Sequence, residues 1–419
     1  MKTSRCSLLE LLGAGLVAVS SCWGSGETHA ADAPRLTVRV RETKGLERTA
    51  ELVRVPLPDR EGPLRVTDDA GKAAPSQVVN TTDGQAIWFS VDVPAGKARL
   101  YSIQQGTPVG PDSPLVISGR TPDQELVIQN KFYTAHLMHG SAQLDRLTTV
   151  DDPPQKLYNG LLLRRGGTPM KGPIHWTPDV RSIVRTPTFP GHKQKGYWPK
   201  TWEWNPPPGL QESRGPLLYR IRRRGPMPFF TEVNAEIVYL FSAVSPEIIV
   251  ESTMRMDKDL KVQYLRNGEW VFKQGIMTMG RCKDQQGRVH EFSVKERGKA
   301  PALKRPVHPE DPWLAFYHPQ TGLGFAIVRV EIRNARPDGT PSTIANYSMF
   351  VVDYGYLEAC RKLVGPGKER SETLVEMGNV YYMREAVFLF DARKDNAFEL
   401  VDQRAQRLRH PLEVERLTE

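Results

Sequence analysis

Residues 189–209 read FPGHKQKGYWPKTWEWNPPPG and concentrate side chains able to hold and attack a ligand. Three of the eight tryptophans, Trp198, Trp202 and Trp204, fall within seven residues, Tyr197 adjoins them, and Trp176 lies upstream beside His175. Indole faces stack well on the C–H faces of sugar rings, and aromatics with a few polar groups make a ligand pocket. The competing reading has the same rings anchoring a long loop to the body of the protein. Proline and glycine dominate the flanks, so the segment is a loop. If it is extended, Trp202 and Trp204 point to opposite faces, one anchoring and the other binding.

The polar groups of this segment suit one reaction. Elimination from a uronic acid needs a cation to quiet the carboxylate, a base for the ring proton and an acid for the leaving oxygen. His192 and Tyr197 are of suitable type for the proton transfers, Glu203 is a carboxylate beside them, and Arg222, in the run RIRRR at 220–224, would neutralise the substrate. The bland alternatives are a hydrogen-bonded loop histidine and a solvated charged face. Glycoside hydrolysis would instead need two carboxylates roughly 5–10 Å apart. Glu203, Asp179, Glu232 and Asp257 are available, but spacing along the chain pairs none of them. His318, within HPEDPWLAFYHPQTGLG at 308–324, would reach a cleft or else cap its own turn. Tyr382 and Arg384 alternate on an expected strand and would share one face.

Metal and cofactor signatures are missing. His136 and His139 are three apart on an expected strand and would face opposite ways. Asp257-Lys258-Asp259 lacks the glycine and glutamate of a calcium loop. No phosphate loop, dinucleotide fingerprint or nucleophile elbow occurs. No cofactor is expected.

The 419 residues have an ordinary globular composition, 39% hydrophobic and 25% charged, which excludes disorder of the whole chain. Lys2 and Arg5 precede the run LLELLGAGLVAVSS at 8–21, the pattern of an export signal. Residues 1–31 are therefore expected to be a leader. It has two competing exits, a soluble one after Ala30 and a lipid-anchoring one at Cys22. The run is too short to span a membrane. The leader's two basic and two acidic residues cancel, so the net charge of +9 belongs to the remainder. An anionic partner outside the cytoplasm, such as a uronic-acid polysaccharide, fits that balance, and nucleic acid does not. Cys282 and Cys360 remain beyond the leader, either bridged or simply buried.

Strand patterns recur throughout: 36–41, 51–55, 86–93, 98–103, 125–128, 236–241, 247–255, 324–332, 348–353 and 386–390. The 34 glycines and 34 prolines suit many turns. One helix is expected at 396–409, stopped by Pro411, and a shorter one at 357–362. The expected organisation is a small β domain over 33–108, a Gly/Pro/Ser-rich linker over 109–122 and a large β sandwich over 123–419.

Four stretches, GLERTAELVRVPLP (45–58), LRVTDDAGKAAPSQV (64–78), IWFSVDVPAGKARLY (87–101) and ELVIQNKFYTAHLMHGSAQLDRLTTVD (125–151), follow one another in a familiar order. They resemble the β domains of family 38 α-mannosidases and the front half of exo-rhamnogalacturonan-lyase-like proteins. The resemblance implies an all-β fold: a small β barrel or sandwich followed by a galactose-mutarotase-like antiparallel supersandwich, with one short C-terminal helix. Such sandwiches can hold Ca²⁺ in irregular loops. The matching motifs are structural, so no catalytic residue carries over. The expectation is an exported carbohydrate-active protein, leaning to an enzyme that cleaves an acidic polysaccharide by β-elimination, with catalytic His192, Tyr197 and Glu203 and substrate-binding Trp176, Trp198, Trp202, Trp204, Arg222 and His318. The alternatives are a carbohydrate-binding accessory protein, a glycoside hydrolase and a mutarotase-type epimerase.

Overall fold

The computed structural model describes residues 36–58, 62–81, 84–150, 156–157, 179–181, 200–273, 275–294, 308, 310–342, 349–353, 356–364 and 372–417. Residues 35–419 form one compact unit. The fold is all-β, built from antiparallel sheets, with one α-helix near the end among the described residues.

A nine-stranded sheet is the backbone of the molecule. Its central strands, Leu218–Met227, Phe230–Ser242, Ile248–Met256, Val380–Asp391 and Leu323–Ala335, lie side by side in that order. Alternation decides which face each residue meets. Phe230, Val233, Ala235, Ile237, Tyr239 and Phe241 alternate along one strand and enter the main core. Two smaller sheets close that core. The first contains Leu126–Gln129, Tyr133–Leu137 and Leu144–Thr149; the second contains Tyr264–Lys273, Tyr356–Val364 and Met349–Asp353. Trp270, Phe272, Phe325 and Phe316 interlock tilted or edge-on at the centre, with ring centroids 5.0–5.8 Å apart.

The opposite face of the large sheet is covered too. The helix Ala397–Arg409 lays Val401 and Ala405 on Ala326, Val328, Ala386 and Phe388. It starts one residue after the expected 396 and ends at the expected 409. The front unit packs beside it, through Val79 on Leu218 and Leu240. This unit has a core of its own, formed by Val38, Val40, Phe89, Val91, Ile103 and neighbours. Its five-stranded sheet contains Leu36–Arg41, paired on one side with Ala98–Gln105 and on the other with Glu413–Leu417. Arg48 fastens the junction. It is buried against Glu42 at 3.2 Å and donates to the helix-end carbonyls of Arg407 (3.0 Å) and His410 (2.6 Å). Burial pushes the Glu42 carboxyl up, but the backbone N–H groups of Gly96 and Lys44 and the Arg48 guanidinium outweigh it and hold it down at about 2.

Two local expectations meet corrections or a decision. Residues 357–362 are not helical but lie in the strand Tyr356–Val364, because Leu357, Ala359, Arg361 and Leu363 alternate into the interior. Cys282 and Cys360 are both buried thiols, so the unbridged reading holds.

Candidate functional site

The seam between the two small sheets is where the aromatic segment comes down. Thr201–Glu203 forms one turn of 3₁₀ helix, and each end of it is pinned by a buried group. On the near side, Lys200 is 6% exposed and its Nζ donates to Glu269, which is 1% exposed. Glu269 also accepts from Arg266 Nη1 at 3.0 Å, so two cations answer one buried carboxylate. On the far side, the Trp204 ring enters the main core, and its indole N–H donates to the Pro226 carbonyl at 2.9 Å. Asn205 rests against Gly140, in the turn that joins two strands of the first small sheet; a Cβ at Gly140 would collide with it. Lys200 thus ties the turn to the second small sheet and Asn205 ties it to the first.

Between these anchors Trp202 and Glu203 are half-buried, and the Trp202 N–H donates to Glu203 Oε1 at 3.1 Å. An aromatic face beside a carboxylate, held by its own neighbours, is a platform ordered before any ligand arrives. Trp204 is thus buried as an anchor, while Trp202 stays half-buried beside Glu203.

Beneath the turn lies Arg223, fully buried. It donates to Ser141 O and Gln143 Oε1, both at 2.9 Å, and lies 5.7 Å from the Trp204 ring and 5.4 Å from Tyr239. Burial pulls its pKa down. Its strand explains the charge run. Tyr219, Ile221 and Arg223 point inward, while Arg222 points outward, to Glu236 at 2.6 Å and Gln211 at 3.2 Å. Arg222 is therefore engaged within its own sheet. His318 closes its own turn: Nδ1 accepts from the backbone N–H of Gln320 and Thr321 at 3.3 Å each. Neither of these two side chains is brought to the Trp202–Glu203 turn by the contacts it makes. His192, Tyr197, Trp176 and Trp198 lie outside the described residues. No group of three or more metal-ligating side chains occurs among the described residues.

A second polar cluster escaped the sequence reading. On the first small sheet, His136 stands directly opposite Arg146, whose Nη2 donates to His136 Nδ1 at 2.6 Å. Arginine can only donate, so the imidazole carries its own proton on Nε2 when neutral. Glu125 approaches both side chains at 3.3 Å. The register slips between His136 and Leu137, leaving Asp145 as the extra residue of a β-bulge. Burial pushes the Asp145 carboxyl up to about 7; Arg146 opposes this and Glu125 adds to it. A carboxyl poised near neutrality beside a cation is a candidate for proton transfer.

No protein-family model matches the sequence, and no curated protein matches it. Solved structures do match in fold. An α-mannosidase from Enterococcus faecalis aligns over 93% of this chain with a TM-score of 0.55 and 12% identity. A glycosyl hydrolase family 38 protein from the same organism aligns over 92%, with a TM-score of 0.54 and 12% identity. In both cases 47% of the other chain is covered, so this chain spans about half the length of those proteins. A galactose mutarotase-like protein from Lactobacillus casei aligns over 64% of this chain and all of its own, at 9% identity and a TM-score of 0.38. The likeness of fold to the α-mannosidases, read from residues 45–151, extends over almost the whole chain.

Proposed function

We propose that this is an exported carbohydrate-active protein that takes a sugar ring on Trp202 and hydrogen-bonds its hydroxyls through Glu203. The observation that carries the reading is the doubly pinned turn, Lys200 on Glu269 and Trp204 on Pro226, with Trp202 and Glu203 held between. A ring presented this way loses little freedom on binding. The family 38 fold is consistent with a carbohydrate role and the leader sequence with export, as a soluble protein or a lipid-anchored one at Cys22. The finer proposal is cleavage of an acidic polysaccharide by β-elimination, with His192 and Tyr197 as the proton-transfer groups and Glu203 beside them.

Binding without cleavage is the second reading. It is favoured by the contacts of Arg222 and His318, which run to Glu236 and to the histidine's own turn rather than to Trp202 and Glu203. One experiment separates them. The purified protein is titrated with a panel of uronic-acid polysaccharides while the ultraviolet absorbance of unsaturated product is followed. Trp202→Ala should weaken binding about tenfold, or ~1.4 kcal/mol. Absorbance that rises in the wild type and not in His192→Ala establishes elimination. Binding without a rise in absorbance establishes the accessory protein. Undiminished binding by Trp202→Ala refutes the platform.

A further inference from the structure

A recess of about 440 Å³ lies where the front unit, the outer face of the large sheet and the C-terminal helix meet, and it shares no residue with the Trp202–Glu203 turn. Its volume falls within the ~300–1,000 Å³ of small-molecule sites. Trp88 and Phe132 supply aromatic walls. The Trp88 indole N–H is buried and has no acceptor among the described residues.

The charges are unevenly matched. Arg404 is held by Glu247, Arg384 by Glu251 at 3.4 Å, and Glu51 by Arg48 at 3.0 Å. Arg407 and Lys131 remain, and neither makes an ion pair among the described residues. Arg407 feels Glu51 only at longer range, and Lys131 lies 5.1 Å from the Phe132 ring. Ala50 forms a lip shared with an adjoining recess. It sits at φ 52°, a region disfavoured for a residue with a Cβ, held there by its N–H on Asp92 at 2.8 Å.

Unmatched cations, aromatic faces and the hydroxyl residues Thr49, Ser242 and Ser245 of the lining together specify a compact ring that is apolar on one face, hydroxylated at its edge and anionic at one point. An inorganic anion would leave the aromatic walls uncovered. A fatty acid would answer the cations but bring no partner to the hydroxyls of the lining. We propose that the recess binds a carboxylate-bearing sugar of one or two rings, stacked between Trp88 and Phe132 with its carboxylate on Arg407 and Lys131. This is a second saccharide site, independent of the one at the aromatic turn.

Calorimetric titration with digalacturonate tests it, on the wild type and in a Trp202→Ala background that silences the aromatic turn. Saturable binding should survive Trp202→Ala, fall at least tenfold in Arg407→Gln, and fall several-fold in Lys131→Gln, an exposed position where misfolding is no concern. Glucose, phosphate and octanoate should not compete. The site is refuted if both cation variants bind as the wild type does, if glucose or octanoate displaces the ligand, or if no binding occurs. It is equally refuted if Trp202→Ala alone abolishes binding, an outcome that would leave the aromatic platform standing. Binding that survives Trp202→Ala undiminished and falls in Arg407→Gln would support this recess and count against the platform.

Discussion

Glu269 and Asp145 are two carboxylates in the same layer of the sandwich, one on each small sheet, and the fold treats them in opposite ways. Glu269 is closed off from water and receives both Lys200 and Arg266. Asp145 is half-buried, and Arg146 only partly offsets the burial that pushes its carboxyl up to about 7. A buried charge fully answered by neighbours is a fastener. A buried group left under-answered becomes a proton donor or acceptor near neutral pH. The comparison separates the part of the seam that positions from the part that can react.

The largest effect should come from undoing the fastener. Lys200→Ala leaves Glu269 buried with one cation instead of two, and should cost about 3 kcal/mol of unfolding free energy. Denaturant titration measures this, and the aromatic turn should become protease-sensitive in the same variant. A loss below ~1 kcal/mol would mean that Arg266 suffices alone.

Asp145→Asn should act with the opposite sign and depend on pH. The folded state keeps this proton to higher pH than the unfolded chain, so the native form loses stability as pH rises from about 4 to about 7. Asparagine removes that penalty. Its melting temperature should exceed the wild type's by roughly 2 °C near pH 8 and match it near pH 4. A gain of equal size at both pH values would show that ionisation is not the cause. The smallest effect is expected from Arg222→Ala, which breaks a half-buried pair with Glu236 near the sheet surface and should cost about 1 kcal/mol. A larger cost would place Arg222 with the fasteners.

Much of the fold was legible because periodicity is a local signal. Strand patterns such as 36–41 and the helix near 396–409 could be read from a few neighbouring residues. Misreadings arose where both faces of a strand carry the same kind of residue. Cys360 is buried along with its inward-facing neighbours Ala359 and Arg361, so the alternation of Tyr356–Val364 is masked. Arg222 and Arg223 hide opposite environments behind one side chain. The site was legible in composition only. The clustering of Trp202 and Trp204 is local, but the Lys200–Glu269 pair spans 69 positions. The Asp145 cluster depends on a one-residue register slip that no spacing records. Both are products of tertiary pairing.

The strand Glu413–Leu417 lies against Leu36–Arg41, joining partners up to 380 positions apart in sequence. Its consequence concerns the order of events in synthesis. The first strand of the front unit lacks one of its two neighbours until the last described strand has left the ribosome, and the Arg48 contacts to the helix end are equally late. Closing so long a loop costs entropy that only a finished core can offset. A chain arranged this way should stay incompletely folded while it is being made and should lock only once its last described strand has paired with its first.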